Sequence, residues 1–361
     1  MKIRALEVFQ IDLEPHVVRR DAIQAFTKQE TVFVRIRTDD GAEGLGYTYT
    51  IGTGGRAIMA LIQYDLAPHL IGEDPERIEY LWRKLWFMTH ATVVGAVTSL
   101  ALCAIDTALW DLRSRVLKRP LHLLLGGAKP RIPLYDTEGG WLNIDEAELV
   151  AGAEASKSKG LTGIKIKVGR STVREDMRRL AAVRKAVGDD IEIMVDANQG
   201  FTVSEAIRRT KAFEPFQLCW MEEPLPAEDL NGHVRLSRST ATPIAVGESI
   251  YSVSHFREYM QRDACSVIQV DVGRVGGITP WMKVAHMAEG FNMSICPHFL
   301  MELHLPLCCA VTNSQWLEHI PQLSSISQPI RMEGAFSYPS EAPGLGIAWD
   351  REKMDRVKFT L

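Results

Sequence analysis

Three acidic residues recur at equal spacing in the second half of the sequence, each at the end of a short apolar run. They are Asp196 in Val-Asp-Ala-Asn-Gln, Glu222 in Met-Glu-Glu-Pro and Glu248 in Val-Gly-Glu-Ser. The spacing is about one strand–helix unit, so neighbouring parallel strands would direct the three carboxylates to one point. Like charges this close repel one another unless a cation lies between them, and oxygen ligands suit a hard divalent ion. We therefore predict a Mg²⁺ site, with Mn²⁺ as the alternative, rather than three separate helix-capping acids.

Two lysines stand on one of the preceding runs, in the sequence Lys165-Ile-Lys167. Residues two apart on a strand share a face, so both ammonium groups would enter the same space. Each cation disfavours the charge of the other, as a nearby metal would, and this favours a neutral lysine that can accept a proton. We predict that Lys167, nearer the end of the run, is the base. Lys165 would contact a substrate carboxylate or tune the pKa of its neighbour.

A second group able to transfer protons is predicted from Asp271 and His298, which end two consecutive runs. An aspartate bonded to one imidazole nitrogen fixes the tautomer and makes the other nitrogen a better base, or an acid once protonated. Glu318, in Trp-Leu-Glu-His, ends the next run and, if protonated, could donate a hydrogen bond to a developing enolate oxygen. The alternative interpretation of Glu318 is an ion pair with His319.

Short apolar runs alternate with amphipathic helical segments through residues 131–320, a pattern typical of βαβ units and a parallel sheet. The eight runs are 132–136, 163–168, 191–196, 219–222, 244–248, 267–272, 293–298 and 316–319. Six of them end in a polar or ionisable residue, although a strand buried on both faces is normally apolar throughout. Eight parallel strands imply a closed barrel whose chemistry lies at the carboxyl ends of the strands. We predict an α/β fold with a modified (β/α)₈-type barrel as the catalytic domain.

Residues 1–130 differ from the barrel in pattern and are predicted to form an α+β capping domain. Residues 3–13 and 31–38 alternate like half-buried strands, and the apolar spacing becomes helical between residues 54 and 118. A Gly-Gly-Ala-Lys-Pro stretch ends this unit. Residues 321–361, rich in Pro, Gly and Ser, are expected to return to the capping domain.

The composition excludes several classes of protein. The net charge is −4, and no block of lysine or arginine is long enough to suggest a nucleic-acid or membrane surface. The six cysteines show no Cys-x-x-Cys spacing, as is usual for reduced thiols. Neither a signal peptide nor an apolar run of membrane-spanning length is evident. We expect a cytoplasmic protein that acts on a small molecule.

In their order and at their predicted strand ends, the candidate residues resemble the mandelate racemase subgroup of the enolase superfamily. The resemblance rests on Lys165, Lys167, Asp196, Glu222, Glu248, Asp271, His298 and Glu318. The first domain is similar to the capping domain of that family, including Leu70-Ile-Gly-Glu-Asp-Pro75 and Ala104-Ile-Asp-Thr-Ala-Leu-Trp-Asp111. The resemblance covers nearly the whole chain.

Within the subgroup, the motifs look closest to acid-sugar dehydratases of the talarate/galactarate type. These motifs are Gly163-Ile-Lys-Ile-Lys-Val-Gly169, Val195-Asp-Ala-Asn-Gln199, Glu222-Glu-Pro-Leu225, Arg274-Val-Gly-Gly-Ile-Thr279, Pro297-His-Phe299 and Trp316-Leu-Glu-His319. One departure is Gln269-Val-Asp271-Val, where such enzymes often have Gln-Pro-Asp-Ala. The departure leaves the aspartate in place.

The resemblance implies a hydro-lyase that removes the proton next to a carboxylate and expels the β-hydroxyl with help from protonated His298, giving a 2-keto-3-deoxy sugar acid. It also implies an even-numbered homo-oligomer, from dimer to octamer. Several polar side chains could contact a hydroxylated substrate. They are Asn198 on the barrel and His16, Arg19, Arg20, Tyr47 and Tyr49 on the capping domain.

Other functions remain open at this level. A racemase or epimerase of a 2-hydroxy acid would share the first step, with Lys167 and His298 on opposite sides of the substrate exchanging roles. A metal-free Schiff-base aldolase would use Lys167 as its nucleophile, since barrels host many chemistries. A non-catalytic sugar-acid binding protein would bind metal and ligand without turnover.

Overall fold

An antiparallel sheet and the helices that pack on it make up the first part of the chain; the computed structural model describes residues 1–361. Its elements, in chain order, are β1 (Ile3–Leu13), β2 (Arg19–Arg20), β3 (Ala25–Phe26), β4 (Gln29–Thr38), β5 (Glu43–Thr50), α1 (Gly55–Ala60), a π-helical segment (Leu61–Leu66), a 3₁₀ turn (Ala67–His69), α2 (Ile78–Met88), α3 (Ala96–Val116) and α4 (Leu121–Leu124). Strands β1, β4 and β5 pair in that order, and β2 with β3 forms a separate small hairpin.

The alternation of side chains along β4 shows why this sheet is buried on both faces. Val32 and Val34 pack with the helices of the first domain, whereas Phe33 between them belongs to the core shared with the barrel. Helix α3 lies close against β5 because the strand carries glycine at the contact. A Cβ atom at Gly46 would come within 2.1 Å of the backbone nitrogen of Ala108.

Eight parallel strands form the second part of the chain, and the helices that connect them lie outside. The elements are β6 (Ile132–Asp136), α5 (Glu146–Ser158), β7 (Gly163–Lys167), α6 (Val173–Val187), β8 (Glu192–Asp196), α7 (Val203–Phe213), a 3₁₀ turn (Glu214–Phe216), β9 (Trp220–Glu222), α8 (Leu230–Ser237), β10 (Ile244–Val246), α9 (Val253–Gln261), β11 (Val267–Ile268), α10 (Ile278–Gly290), β12 (Ser294–Ile295), α11 (Met301–Ala310) and β13 (Leu317–His319). The strands β6, β7, β8, β9, β10, β11 and β12 pair with one another in that order, and β13 pairs with β6. Backbone bonds from Ile295 to Asn313 and Gln315 close the barrel between β12 and β13. The predicted fold class, a modified (β/α)₈ barrel with an α+β capping domain, is confirmed.

The lumen of the barrel is layered by the two-residue period of its strands. A lower layer is apolar or aromatic and consists of Tyr135, Met194, Trp220, Ala245, Val267 and Cys296. Two residues further along β8 and β9 stand Asp196 and Glu222, and the same step leads from Cys296 to His298. The polar residues therefore form a second layer, directly above the apolar one and towards the carboxyl ends of the strands.

The C-terminal segment contacts both domains. Strands β14 (Arg331–Glu333) and β15 (Phe336–Tyr338) form a hairpin, and β15 pairs antiparallel with β6. Helix α12 (Arg351–Val357) follows, and the backbone of Phe359 exchanges hydrogen bonds with Gln10 of β1. None of the helices combines the length and the apolar character needed to cross a membrane.

The contact between α3 and β5 can be tested with a single methyl group. Gly46→Ala would place Cβ against the backbone of α3, which cannot withdraw as a flexible side chain could. We expect the free energy of unfolding to fall by about 3 kcal/mol, at the upper end for an overpacked core. Chemical denaturation measures the change. Gly290→Ala is the matched control, because a Cβ there meets nothing within 4 Å; a similar loss in both variants would contradict the packing argument.

Candidate active site

The three predicted metal ligands converge at the top of the lumen. Side-chain oxygens of Asp196, Glu222 and Glu248 all lie within 4.8 Å of one another, and the three residues are buried. Asp196 and Glu222 are in register on adjacent strands, and Glu248 follows β10 by two residues. Burial, and next the charge of Asp196, raise the pKa of Glu222 to about 7.

The chemistry of this trio fits a divalent cation. Glu248 Oε2 is buried without a hydrogen-bond partner, so one ligand oxygen is left unsatisfied by the protein. An all-carboxylate set is the kind that Mg²⁺ takes from proteins. A dication among these oxygens would remove the repulsion that burial otherwise intensifies.

Each lysine of the pair on β7 is engaged by a different carboxylate. Lys165 Nζ lies 2.9 and 3.0 Å from the two oxygens of Glu222 and 2.8 Å from Glu318 Oε1. Lys167 donates to Asp196 and, over 2.9 Å, to Asn198 Oδ1. Burial is the largest influence and lowers the pKa of Lys167, but the charges of Asp196, Glu248 and Glu222 together raise the pKa above its usual value. The effect predicted for neighbouring cations is present, because the charge of Lys165 lowers the pKa of Lys167, but the carboxylates outweigh it in the chain by itself.

The predicted aspartate–histidine pair forms on the opposite side of the trio. His298 Nδ1 lies 2.8 Å from Asp271 Oδ2, and His298 Nε2 faces Glu248 Oε2 at 3.3 Å. Backbone N–H groups of Gly273 and Arg274 donate to the other oxygen of Asp271 over 2.7 and 3.1 Å. Burial acts to raise the pKa of Asp271, but the hydrogen bond and charge of His298 lower it to about 2. The ring nitrogen of His298 that Asp271 does not bond, Nε2, therefore lies next to the Glu248 end of the trio.

Glu318 is held as a carboxylate, the form that accepts hydrogen bonds and does not donate them. It accepts hydrogen bonds from Thr137 Oγ1 and the Phe299 backbone N–H, each over 2.7 Å. Burial acts to raise the pKa of Glu318, but Lys165 lowers it well below its usual value. The ion pair with His319 is not formed either. Consecutive residues on β13 point to opposite faces, and His319 Nδ1 bonds Asp136 Oδ1 at 2.8 Å outside the lumen.

The residues predicted to contact substrate lie in different places. Asn198 stands beside Lys167, and its backbone N–H donates to Asp196 Oδ1 over 2.8 Å. His16 is exposed, and its Nε2 lies 2.7 Å from Ser324 Oγ. Tyr47 is fully buried among aromatic side chains, with ring centroids 5.8 Å from Phe33 and 5.5 Å from Trp349. Of these three residues, the structure brings only Asn198 to the trio.

Arg19, Arg20 and Tyr49, the other predicted substrate contacts on the capping domain, also lie in different surroundings. Arg19 is buried in an ion pair with Glu138, whereas Arg20 is exposed. Tyr49 reaches from β5 into the barrel, where its hydroxyl donates to Asp271 Oδ2 over 2.6 Å. The capping domain thereby supplies a direct partner of the aspartate–histidine pair.

Several supporting residues were not singled out from the sequence. Gln269 Nε2 and Trp220 Nε1 donate to Glu222 Oε2 over 2.8 and 3.2 Å. Arg274 Nη1 donates to the backbone carbonyl of Glu248 over 2.9 Å. The two-residue strand period could have identified Trp220 and Gln269, because each lies two positions before a predicted site residue. Arg274 stands in one of the motifs that carry the resemblance, but strand spacing indicates no role for it, because its position depends on the loop after β11.

Comparison with known protein families agrees with this arrangement. Residues 5–126 match the family described as "Mandelate racemase / muconate lactonizing enzyme, N-terminal domain", and residues 148–353 match "Enolase C-terminal domain-like". The chain belongs to the mandelate racemase/muconate lactonizing enzyme family of the enolase superfamily. The resemblance noted in the sequence is confirmed.

Individual members of the family cover almost the entire chain. The L-talarate/galactarate dehydratase of Salmonella typhimurium is 36% identical over 335 residues, which are 92% of this chain and 84% of that protein. The 3,6-anhydro-alpha-L-galactonate cycloisomerase of Streptomyces coelicolor is 36% identical over 331 residues, 91% of each chain. The crystal structure of a racemase from Streptomyces coelicolor A3(2) with bound magnesium superimposes with a TM-score of 0.95 at 33% identity, covering 99% of this chain and 100% of that one.

The bond between Tyr49 and Asp271 can be measured without a substrate. Tyr49→Phe removes one of the hydrogen bonds to a buried carboxylate, and we expect the free energy of unfolding to fall by about 1.5–3 kcal/mol. Tyr47→Phe removes a buried hydroxyl that has no partner, and we expect no loss of stability. Urea denaturation of both variants checks the difference. Equal destabilisation would show that the bond to Asp271 contributes nothing.

Proposed function

We propose that this protein is a magnesium-dependent sugar-acid dehydratase, which removes the α-proton of a hydroxylated carboxylate and then its β-hydroxyl. The observation that carries the proposal is the buried acid trio with Lys167 at its Asp196 end and the free nitrogen of His298 at its Glu248 end. Relatives that are named as sugar-acid dehydratases, and a structural neighbour with bound magnesium, support it.

Asp196, Glu222 and Glu248 would hold the cation. Bound there, Mg²⁺ supplies positive charge that stabilises the negative charge developing on the substrate carboxylate as the α-proton leaves. The protein itself places Lys165 beside the trio, where Glu222 and Glu318 hold its ammonium group. Lys165 is therefore a fixed positive charge beside the place where negative charge develops on the substrate.

Lys167 is the proposed base, and its proton affinity is tied to the metal ligand beside it. In the chain by itself, the charge of Asp196 keeps the pKa of Lys167 raised. Lys167 can accept a proton only when that charge is neutralised. Binding of a cation by the acid trio would therefore also activate Lys167 as a base. Asn198 Oδ1 holds the Nζ in place through either protonation state.

His298 is the proposed acid for the departing hydroxyl. Asp271 accepts the Nδ1–H, so a protonated ring directs its Nε2–H towards the trio. The α-carbon loses its proton to Lys167, the β-carbon loses hydroxide, and the proton of His298 converts that hydroxide to water. The resulting enol loses its hydroxyl proton and gains a proton at the β-carbon, which gives a 2-keto-3-deoxy acid, and transfer of a proton from Lys167 to His298 through solvent restores the enzyme. The substrate loses one water in total.

Epimerisation is the second candidate, because Lys167 and His298 lie at opposite ends of the trio. Delivery of a proton from His298 to the α-carbon, rather than to the hydroxyl, would invert that centre. Incubation of mono- and dicarboxylic sugar acids with enzyme and Mg²⁺ separates the two outcomes. A 2-keto product marks dehydration, whereas an epimer with solvent deuterium at the α-carbon marks epimerisation. Borohydride trapping of substrate on the enzyme in the presence of a chelator would mark a Schiff-base aldolase instead.

The two proton carriers are tested by removing each one. We expect Lys167→Ala and His298→Asn each to lower kcat by about 10²–10⁴-fold, the usual contribution of a general acid or base. Steady-state kinetics on the substrate found in the screen gives the measurement. Lys185→Ala and His286→Asn alter exposed residues of the same types and serve as controls. Full activity in both site variants would end the proposal.

The ligand assignment is tested by binding of the metal itself. Asp196→Asn removes one anionic ligand, and we expect at least a tenfold loss of Mg²⁺ affinity in calorimetry, because hard cations depend on carboxylate charge. The same change at exposed Asp189 should leave the affinity unaltered. An unchanged affinity in Asp196→Asn would place the metal elsewhere.

A further inference from the structure

A cavity of about 290 Å³ lies outside the lumen of the barrel, between α4, α11 and the C-terminal segment. We call it the C-terminal cavity. It is separate from the candidate active site, because none of the acid trio, the lysine pair or the aspartate–histidine pair lines it. Apolar residues in its wall include Leu121, Leu305, Pro306, Ile330, Leu345 and Ile347. The volume is close to the lower end for pockets that bind small molecules, about 300 Å³.

Glu302, in the first turn of α11, is the buried charged residue of this wall. It is only 5% exposed, and its Oε2 has no hydrogen-bond partner. The protein supplies neither a donor to Oε2, as a carboxylate requires, nor an acceptor for a proton carried there. Buried polar atoms in proteins are almost always hydrogen-bonded. Because Glu302 lines the cavity, a molecule bound in the cavity can supply the partner that the chain does not.

The charges around the cavity favour a positive ligand. The wall contains two acids, Glu302 and Glu341, and one cation, Arg331. Arg331 is exposed and forms an ion pair with Glu333, so it does not neutralise Glu302. A buried carboxylate without a cation nearby is costly, and a bound cation would remove that cost.

We propose that the C-terminal cavity binds a primary amine that carries a short apolar chain, with the ammonium group at Glu302. An ammonium group has three donors, and one of them supplies the partner of Oε2 in a charge-assisted hydrogen bond. The apolar chain of the ligand lies against Leu305, Pro306 and Leu345, away from water. An anion is disfavoured by the two carboxylates of the wall, and an alcohol supplies the donor without the charge. The proposal concerns a second site and does not depend on the proposed reaction.

Two ligands of the same length test the proposal, n-pentylamine and n-pentanol, with binding measured by calorimetry at pH 8. We expect one amine per chain, bound about tenfold or more tightly than the alcohol, because only the amine pairs with a charge. Glu302→Gln keeps the shape of the side chain and should weaken amine binding about tenfold or more, with little change for the alcohol. Glu154→Gln, at an exposed glutamate of α5, is the matched control and should bind the amine as the wild type does. Equal amine affinity in wild type and Glu302→Gln would overturn the proposal.

A second variant tests the cavity without altering its charge. Ser340 is half-buried in the wall, and Ser340→Trp would fill part of the space while leaving Glu302 in place. We expect this variant to lose amine binding and to unfold at the same urea concentration as the wild type. Undiminished binding in a folded Ser340→Trp would show that the amine binds elsewhere.

The pH dependence of binding checks that Glu302 acts as a carboxylate. Burial raises the pKa of Glu302 to about 7, and the titratable or charged residues that face it are His319 on β13, Tyr47 on β5, and Arg331 and Glu341 in the C-terminal segment. An alkylamine, like lysine, keeps its proton at pH 6 and at pH 8, whereas Glu302 is mostly protonated at pH 6 and mostly ionised at pH 8. We expect the amine affinity of the wild type to rise about tenfold between these pH values, and that of Glu302→Gln to stay constant. A wild-type affinity that does not rise would contradict the role of Glu302.

A lysine side chain of a second protein molecule is the other source of an ammonium group. Sedimentation of the wild type and of Glu302→Gln over a range of protein concentrations separates this case from a small amine. We expect the same state of assembly in both proteins, because the cavity has the volume of a small-molecule pocket. Loss of an oligomer in Glu302→Gln would assign the cavity to a contact between proteins and overturn the proposal of a small amine.

Discussion

Compensation of buried charge is the constraint on which the rest of this structure depends. The upper layer of the lumen holds five carboxylates, those of Asp196, Glu222, Glu248, Asp271 and Glu318, all buried. Lys165, Lys167 and Arg274 pair with them, which still leaves the protein short of positive charge. A buried anion without a partner is strongly destabilising, so the layer is stable only with exact geometry and, at the trio, with a cation. A cation bound at the trio would supply the positive charge that stabilises a carbanion next to a carboxylate.

The apolar layer beneath and the capping domain above keep water away from these charges. Tyr135, Met194 and Trp220 fill the lumen below the acids, and Trp220 also donates to Glu222. From the other side, Tyr49 contacts Asp271, and Asp106 of α3 accepts from Thr279 at the start of α10. Electrostatic interactions are strengthened where water is excluded. The two domains are thus both needed for the chemistry, because neither encloses the charges alone.

The sequence predicts the parts of the site that depend on strand periodicity. Equal spacing located Asp196, Glu222 and Glu248, and the two-residue period placed Lys165 and Lys167 on one face, because both rules follow from local geometry. The sequence did not reveal that carboxylates raise the pKa of Lys167 or that Lys165 holds Glu318 as a carboxylate. The protonation state of each residue depends on which carboxylate or ammonium group lies within 3 Å of it in the folded chain. A shift of one residue in strand register would change that neighbour. Arg274 was missed for a related reason, since a loop rather than a strand positions it.

Residues of the capping domain show the limit of such reasoning most clearly. The sequence indicates that Arg19, Tyr47 and Tyr49 are polar groups able to contact a substrate. In the structure, each of them makes a different tertiary contact. Arg19 pairs with Glu138, Tyr47 packs in the core and Tyr49 bonds Asp271. Lys167 ends β7 and His298 follows β12 by three residues, so elements of the barrel position both proposed proton carriers. Residue type alone therefore does not separate a capping-domain side chain that reaches the site from one that packs in the core, because tertiary contacts decide between them.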